Sequence, residues 1–169
     1  MVRTYMQRIV VVGLVAGALA ALDPADAQTP MRKPARSSLG PRVVQFANGR
    51  MGSQVGNGEC WTLVHDALAA VGAKRPGQEL PVYEFGRRVS LTNLLPGDIL
   101  QFEGVKFVSG NGSWQQFGHH TAIVTGRSGN TVNLLHQNVN GRRTVQSGVI
   151  NLSERQGGTI NAFRPQGRS

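Results

Sequence analysis

Two hydrophobic periods divide this chain, and the border between them limits what it can fold into. Up to Gly72 the apolar residues recur at helical spacing; from Pro96-Gly97 onward they alternate as in strands. Val43, Phe46 and Ala47, opened by Pro41 and closed by Gly49 and Gly52, share one helical face over residues 41–48. Val64, Ala67, Leu68 and Val71 form an i, i+3, i+4, i+7 stripe on a second helix that starts near Cys60 and stops at Gly72. Residues 73–94 carry mixed signals, with Pro76-Gly77 and Pro81 marking turns. Strand-like runs follow at 98–102, 120–125, 131–137, 145–152 and 159–163. They are separated by Gly110-Asn111-Gly112, Gly129-Asn130, Asn140-Gly141 and Gly157-Gly158. Helices first and antiparallel strands second predict an α+β domain, its N-terminal helices packed on one face of an antiparallel β-sheet.

The ends of the chain read differently. Residues 1–27 have the form of a signal peptide: Arg3 and Arg8, an apolar run from Ile9 to Leu22, then Ala25-Asp26-Ala27 as a cleavage site before Gln28. The apolar run is short for a membrane span, so the expectation is a secreted or periplasmic protein with no stable span after processing. Residues 28–40, rich in Pro, Ser and basic side chains, read as a flexible linker, 41–165 as the domain and 166–169 as a tail. The leader holds two Arg and two Asp, so the formal net charge of +9 belongs entirely to the remainder. That balance favours anionic surroundings such as an envelope polymer. No Lys/Arg run with interleaved aromatics occurs, which argues against nucleic acid. A single expected domain of this size suits a monomer.

Cys60 is the only cysteine, so no internal disulfide can form. It follows the loop Gly56-Asn57-Gly58-Glu59 at the start of the second helix, where backbone N–H groups and the positive helix end favour thiolate over thiol. A thiolate needs a base and an orienting partner to act as a hydrolase nucleophile. Strand alternation puts His120, Ala122 and Val124 on one face and His119, Thr121 and Ile123 on the other. Leu134, His136 and Asn138 share a face of the next strand. If the strands are neighbours, His120 lies beside His136 and Asn138 at the edge where the Cys60 helix would dock. In that arrangement Cys60 attacks a carbonyl carbon, His120 serves as general base, and His136 or Asn138 fixes its tautomer. The Cys60 N–H is the natural first oxyanion donor and Gln54 the second. His65 lies off the face of Cys60 and reads as structural, and Asp98 after Pro96-Gly97 as a turn residue. A metal site from His119, His120 and His136 lacks any HExxH-type spacing, so no metal and no cofactor is expected.

Four segments occur in a familiar order: Gly56-Asn57-Gly58-Glu59-Cys60-Trp61, Leu95-Pro96-Gly97-Asp98-Ile99-Leu100, Gly118-His119-His120-Thr121-Ala122-Ile123-Val124 and Leu135-His136-Gln137-Asn138. This set resembles the CHAP group of papain-fold cysteine amidohydrolases and peptidases, related to the NlpC-type cell-wall peptidases. It is still more similar to the cysteine-proteinase-fold domains at the end of some fungal actin-patch proteins. The resemblance spans about residues 41–165 and implies a papain-like fold, Cys60 as nucleophile, His120 as base and Asn138 closing the site. Many CHAP members carry a glutamate where His136 stands, so His136 orients His120 without anionic support.

The expected function is therefore an exported cysteine hydrolase cleaving an amide or peptide bond through a Cys60 thioester, with peptidoglycan peptide as the implied substrate. Two rivals share the same residues: a catalytically silent binding module of the cell envelope, and a Cys/His acyltransferase. Fold alone does not choose among them.

Overall fold

The border at Gly72 is visible in the backbone of the computed structural model, which describes residues 38–76 and 83–168. The leader and nearly all of the linker lie outside these residues. Helix α1 spans Leu39–Asn48 and α2 spans Cys60–Val71. Gly72 ends α2 in the left-handed region at φ 73°, which glycine adopts without a Cβ penalty. Helix α1 begins two residues inside the expected linker.

Among the described residues seven strands follow: β1 (Arg87–Val89), β2 (Ile99–Val108), β3 (Trp114–Ser128), β4 (Thr131–His136), β5 (Gln146–Asn151), β6 (Arg155–Gln156) and β7 (Thr159–Arg164). They form one antiparallel sheet in the order β1-β7-β2-β3-β4-β5, with β6 paired to the outer half of β2. The architecture is the α+β arrangement read from the hydrophobic periods. Strand β1 fell in the segment whose signals were mixed. The β2–β3 hairpin is much longer than expected, with Val105 opposite Phe117 and Val108 opposite Trp114. Polar Gln115 and Gln116 had hidden its outer half.

The sheet separates two apolar cores. On one face Ile99, Ile123, Leu135 and Phe163 meet Val43 and Ala47 of α1 and Leu63, Val64, Ala67 and Leu68 of α2. On the other, Leu100, Phe102, Ala122, Val124, Leu134, Ile150 and Ile160 pack with Val105, Phe107 and Phe117 from the outer hairpin. Gly104 makes that second core: at φ 60° it interrupts the pleat, so that Phe102 and Val105, three apart, face the same way.

Asp98 ties the sheet together. Only 1 % exposed, it accepts the Leu95 N–H at 2.8 Å, which is the turn role expected of it. It also takes a two-point ion pair from Arg164, Nε to Oδ1 at 2.9 Å and Nη2 to Oδ2 at 2.8 Å. The bond to Asp98 raises the Arg164 guanidinium above its ordinary value. Asp98→Ala removes this ion pair and leaves the Leu95 N–H without its acceptor, while the half-exposed Arg164 keeps its bond to Asn93 O; a loss of about 1–3 kcal/mol in unfolding free energy is expected from urea titration. A loss below about 1 kcal/mol would place the pair among surface bridges instead.

Candidate active site

The loop before α2 is shaped by its small residues. Gly56 and Gly58 sit at φ 55° and 84°, and Asn57 Oδ1 accepts the Glu59 N–H at 3.1 Å. Glu59 is extended and serves as N-cap, so Cys60 is the first helical residue, at the end where backbone N–H groups point outward. Cys60 as a residue is 8 % exposed.

Gln137 clamps this loop to the end of β4. Its Oε1 accepts the Val55 N–H at 3.1 Å, and its Nε2 donates to Glu59 O at 2.7 Å and Val55 O at 2.9 Å. Thr62 Oγ1 lies 3.1 Å from the same nitrogen. A fully buried amide thus holds Glu59, the residue before Cys60, from across the chain. Gln137→Leu strips these partners, and stability should fall by about 1–3 kcal/mol in urea titration. Cys60 should also become more exposed to large thiol reagents. An unchanged unfolding midpoint would show that the loop holds itself.

Helix α2 packs on the face that carries Ile123, so His119 and Thr121 share the side of Cys60. Glu103 lies directly across from His119, and both its carboxylate oxygens approach His119 Nδ1, at 2.9 and 3.0 Å. Gln101 Nε2 donates to Glu103 Oε1 at 2.7 Å, and Gln101 itself is fully buried. With Nδ1–H given to a carboxylate, Nε2 of His119 is left as the unprotonated nitrogen, the tautomer a general base needs. Tyr83 bridges this pair to the helix: its ring is 5.8 Å from His119 and 5.7 Å from Trp61, the residue after Cys60.

His120 and His136 are neighbours, as expected, with Nε2 and Nδ1 3.3 Å apart. They occupy the other face, however. The His120 ring stacks on Phe117 at 5.1 Å and 14°, within the second core. The expectation that the pair sits where the Cys60 helix docks is corrected here. The alternation was read correctly, but which face α2 would cover was not. Burial first, then the neighbouring imidazoles of His136 and His119, lowers His120 from 6.5 to about 3; burial lowers His136 to about 4. Both are neutral at pH 7.

Asn138 stands at φ 61° and donates to Glu59 Oε2 at 2.6 Å, so it touches the loop before Cys60 rather than an imidazole. Arg143 pairs with the other Glu59 oxygen. Gln54 Nε2 donates to Gly56 O at 3.2 Å, within its own loop. His65 bonds Asp66 at 2.9 Å, off the Cys60 face. The three histidines weighed as metal ligands are divided by the sheet, and among the described residues no group of three His, Cys, Asp or Glu is placed to hold a metal ion. Glu103 and Gln137 escaped the sequence reading. Counting back from the Gly110–Gly112 turn with hairpin register would have set Glu103 opposite His119.

The AIM3/BBC1 cysteine proteinase-fold domain model matches residues 21–169. The chain belongs to this family. The matched span begins inside the expected leader. Over 149 residues the chain is 28 % identical to altered inheritance of mitochondria protein 3 from Debaryomyces hansenii, covering 77 % of this chain but 16 % of that protein. This AIM3/BBC1-type domain therefore corresponds to a small part of that relative. Among solved structures it is similar to Ly7917 with the hydrolyzing product of MDP, at TM-score 0.54 and 16 % identity, covering 74 % of this chain and 62 % of that one. A second Ly7917 structure gives 0.52 and 17 %, covering 73 % and 61 %. The domain has the papain-like cysteine proteinase fold.

Proposed function

We propose that this domain is an exported, monomeric cysteine hydrolase that cleaves an amide or peptide bond, with Cys60 as nucleophile, His119 as general base and Glu103 as the carboxylate that orients it. One observation carries the reading: the Cys60 helix and the His119–Glu103 pair share one face of the sheet. His119 Nε2 takes the thiol proton and sulfur bonds to the carbonyl carbon. The resulting oxyanion is met by the Cys60 N–H at the helix start. As the intermediate collapses, the C–N bond breaks and His119 returns the proton to the leaving amine. His119 then deprotonates a water, which attacks the thioester and releases the acid and the thiol. Peptidoglycan peptide remains the proposed substrate, supported by the +9 charge and by the ligand in the Ly7917 structure.

The near-complete burial of Cys60 favours one alternative, a binding module that has kept the fold without turnover. Incubation with muropeptides, followed by mass spectrometry, separates the two. New amine termini with the unaltered domain and none with Cys60→Ala are expected, a loss of at least about 10³-fold. No cleavage by either protein, together with retention of muropeptides on the immobilised domain, would replace the hydrolase with the binding module.

A further inference from the structure

A second site lies one helical turn beyond Cys60. His65, Lys74, Arg75, Pro76 and Arg168 line an open cavity of about 410 Å³. We propose that this cavity binds the phosphate group of a small soluble molecule. Binding there is independent of turnover at Cys60.

Three cations from two distant stretches of chain converge here, and the backbone brings them together. Ala73 and Gly167 are bridge partners, and the Lys74 N–H donates to Gln166 O at 2.8 Å. Lys74, opposite Gln166, and Arg168 are therefore diagonal neighbours on one face of this main-chain pairing, which keeps like charges close that would otherwise separate. His65 organises the third. Its Nδ1 is 2.9 Å from Asp66 Oδ1, which places the proton on Nδ1 and leaves Nε2 to accept from Arg75 Nη1 at 3.3 Å. In that tautomer the imidazole orients the guanidinium without adding an opposing charge. Among the described residues Asp66 is the carboxylate at this site, and it is engaged by His65.

The donor set selects the ligand. One guanidinium fork satisfies a carboxylate, whereas two forks and an ammonium match the three terminal oxygens and double charge of a phosphate ester. The cavity is larger than phosphate alone requires, leaving room for the molecule that carries it.

The site has a built-in reporter, because the His65 ring stacks on Trp61 at 4.6 Å and 21°. The chain has two tryptophans, and the other, Trp114, is largely exposed. In the full chain carrying Trp114→Phe, titration with pyrophosphate at constant ionic strength should change Trp61 fluorescence saturably. In the unaltered chain it should raise Tm with ligand concentration. Arg75→Ala/Arg168→Ala should weaken the apparent affinity at least tenfold, while Arg42→Ala/Arg50→Ala, on α1 and the loop after it, should leave it unchanged. A response that does not saturate, that sodium chloride reproduces, or that both double variants share overturns the assignment. Sedimentation with phosphatidylcholine vesicles containing phosphatidylinositol phosphate decides the source. Free inositol phosphate binding as tightly as the vesicles supports the soluble ligand, and binding seen only with vesicles overturns it.

Discussion

His119→Ala should lower the turnover of Cys60 by about 10²–10⁴-fold, the range general-base catalysis supplies, whereas His120→Ala should leave turnover per folded molecule within a few fold. The same contrast should be visible without substrate, in iodoacetamide alkylation of Cys60. An ordinary thiol is only about 1 % thiolate at pH 6.5, so reactivity there reports an activating partner. Alkylation of the unaltered domain should persist to that pH and fall at least about tenfold in His119→Ala, with Glu103→Gln in between. The rationale is spatial: His119 shares the Cys60 face and donates Nδ1–H to Glu103, while His120 is stacked on Phe117 in the opposite core. Loss of alkylation in folded His120→Ala, with His119→Ala unaffected, would move the base back across the sheet.

The buried pair should show itself in stability instead. In the unfolded chain His120 and His136 titrate near 6.5; in the folded domain burial brings them to about 3 and about 4. Above pH 6.5 neither state holds these protons, so the pair adds no pH dependence. Between about 6.5 and about 4 the unfolded chain binds two protons that the folded domain refuses, so stability falls as pH falls. The slope approaches about 1.4 kcal/mol per pH unit for each histidine, which consumes much of a typical domain's 5–15 kcal/mol before pH 4. Urea midpoints between pH 7 and pH 4.5 measure it directly. In His136→Gln the slope in this window should drop by about half, and an unchanged slope would assign the acid sensitivity to other groups.

The fold was largely legible because the two hydrophobic periods do not overlap. The α2 stripe, the Gly72 stop and β4 stand close to where the spacing puts them. Strand β1 and the outer hairpin were hidden for a physical reason. Arg87-Arg88-Val89 is a three-residue edge pairing with no apolar pattern of its own, and beyond Gly104 the pleat is broken. The setting of Cys60, a glycine loop running into a helix, was readable from residues 56–72. The choice between His119 and His120 was not, since alternation divides a sheet into two faces without saying which one a helix will cover. Gln137 was hidden differently: its role depends on meeting Val55, 82 positions away, and no local pattern announces such a contact.

The tandem His119-His120 dipeptide spans the sheet from one side to the other, with one imidazole beside Glu103 and the next beside His136. In aligning relatives of this domain, a shift of a single column therefore moves the histidine from one face of the sheet to the other. Relatives should be compared by the partner opposite the histidine, Glu103 or Phe102, rather than by the histidine itself.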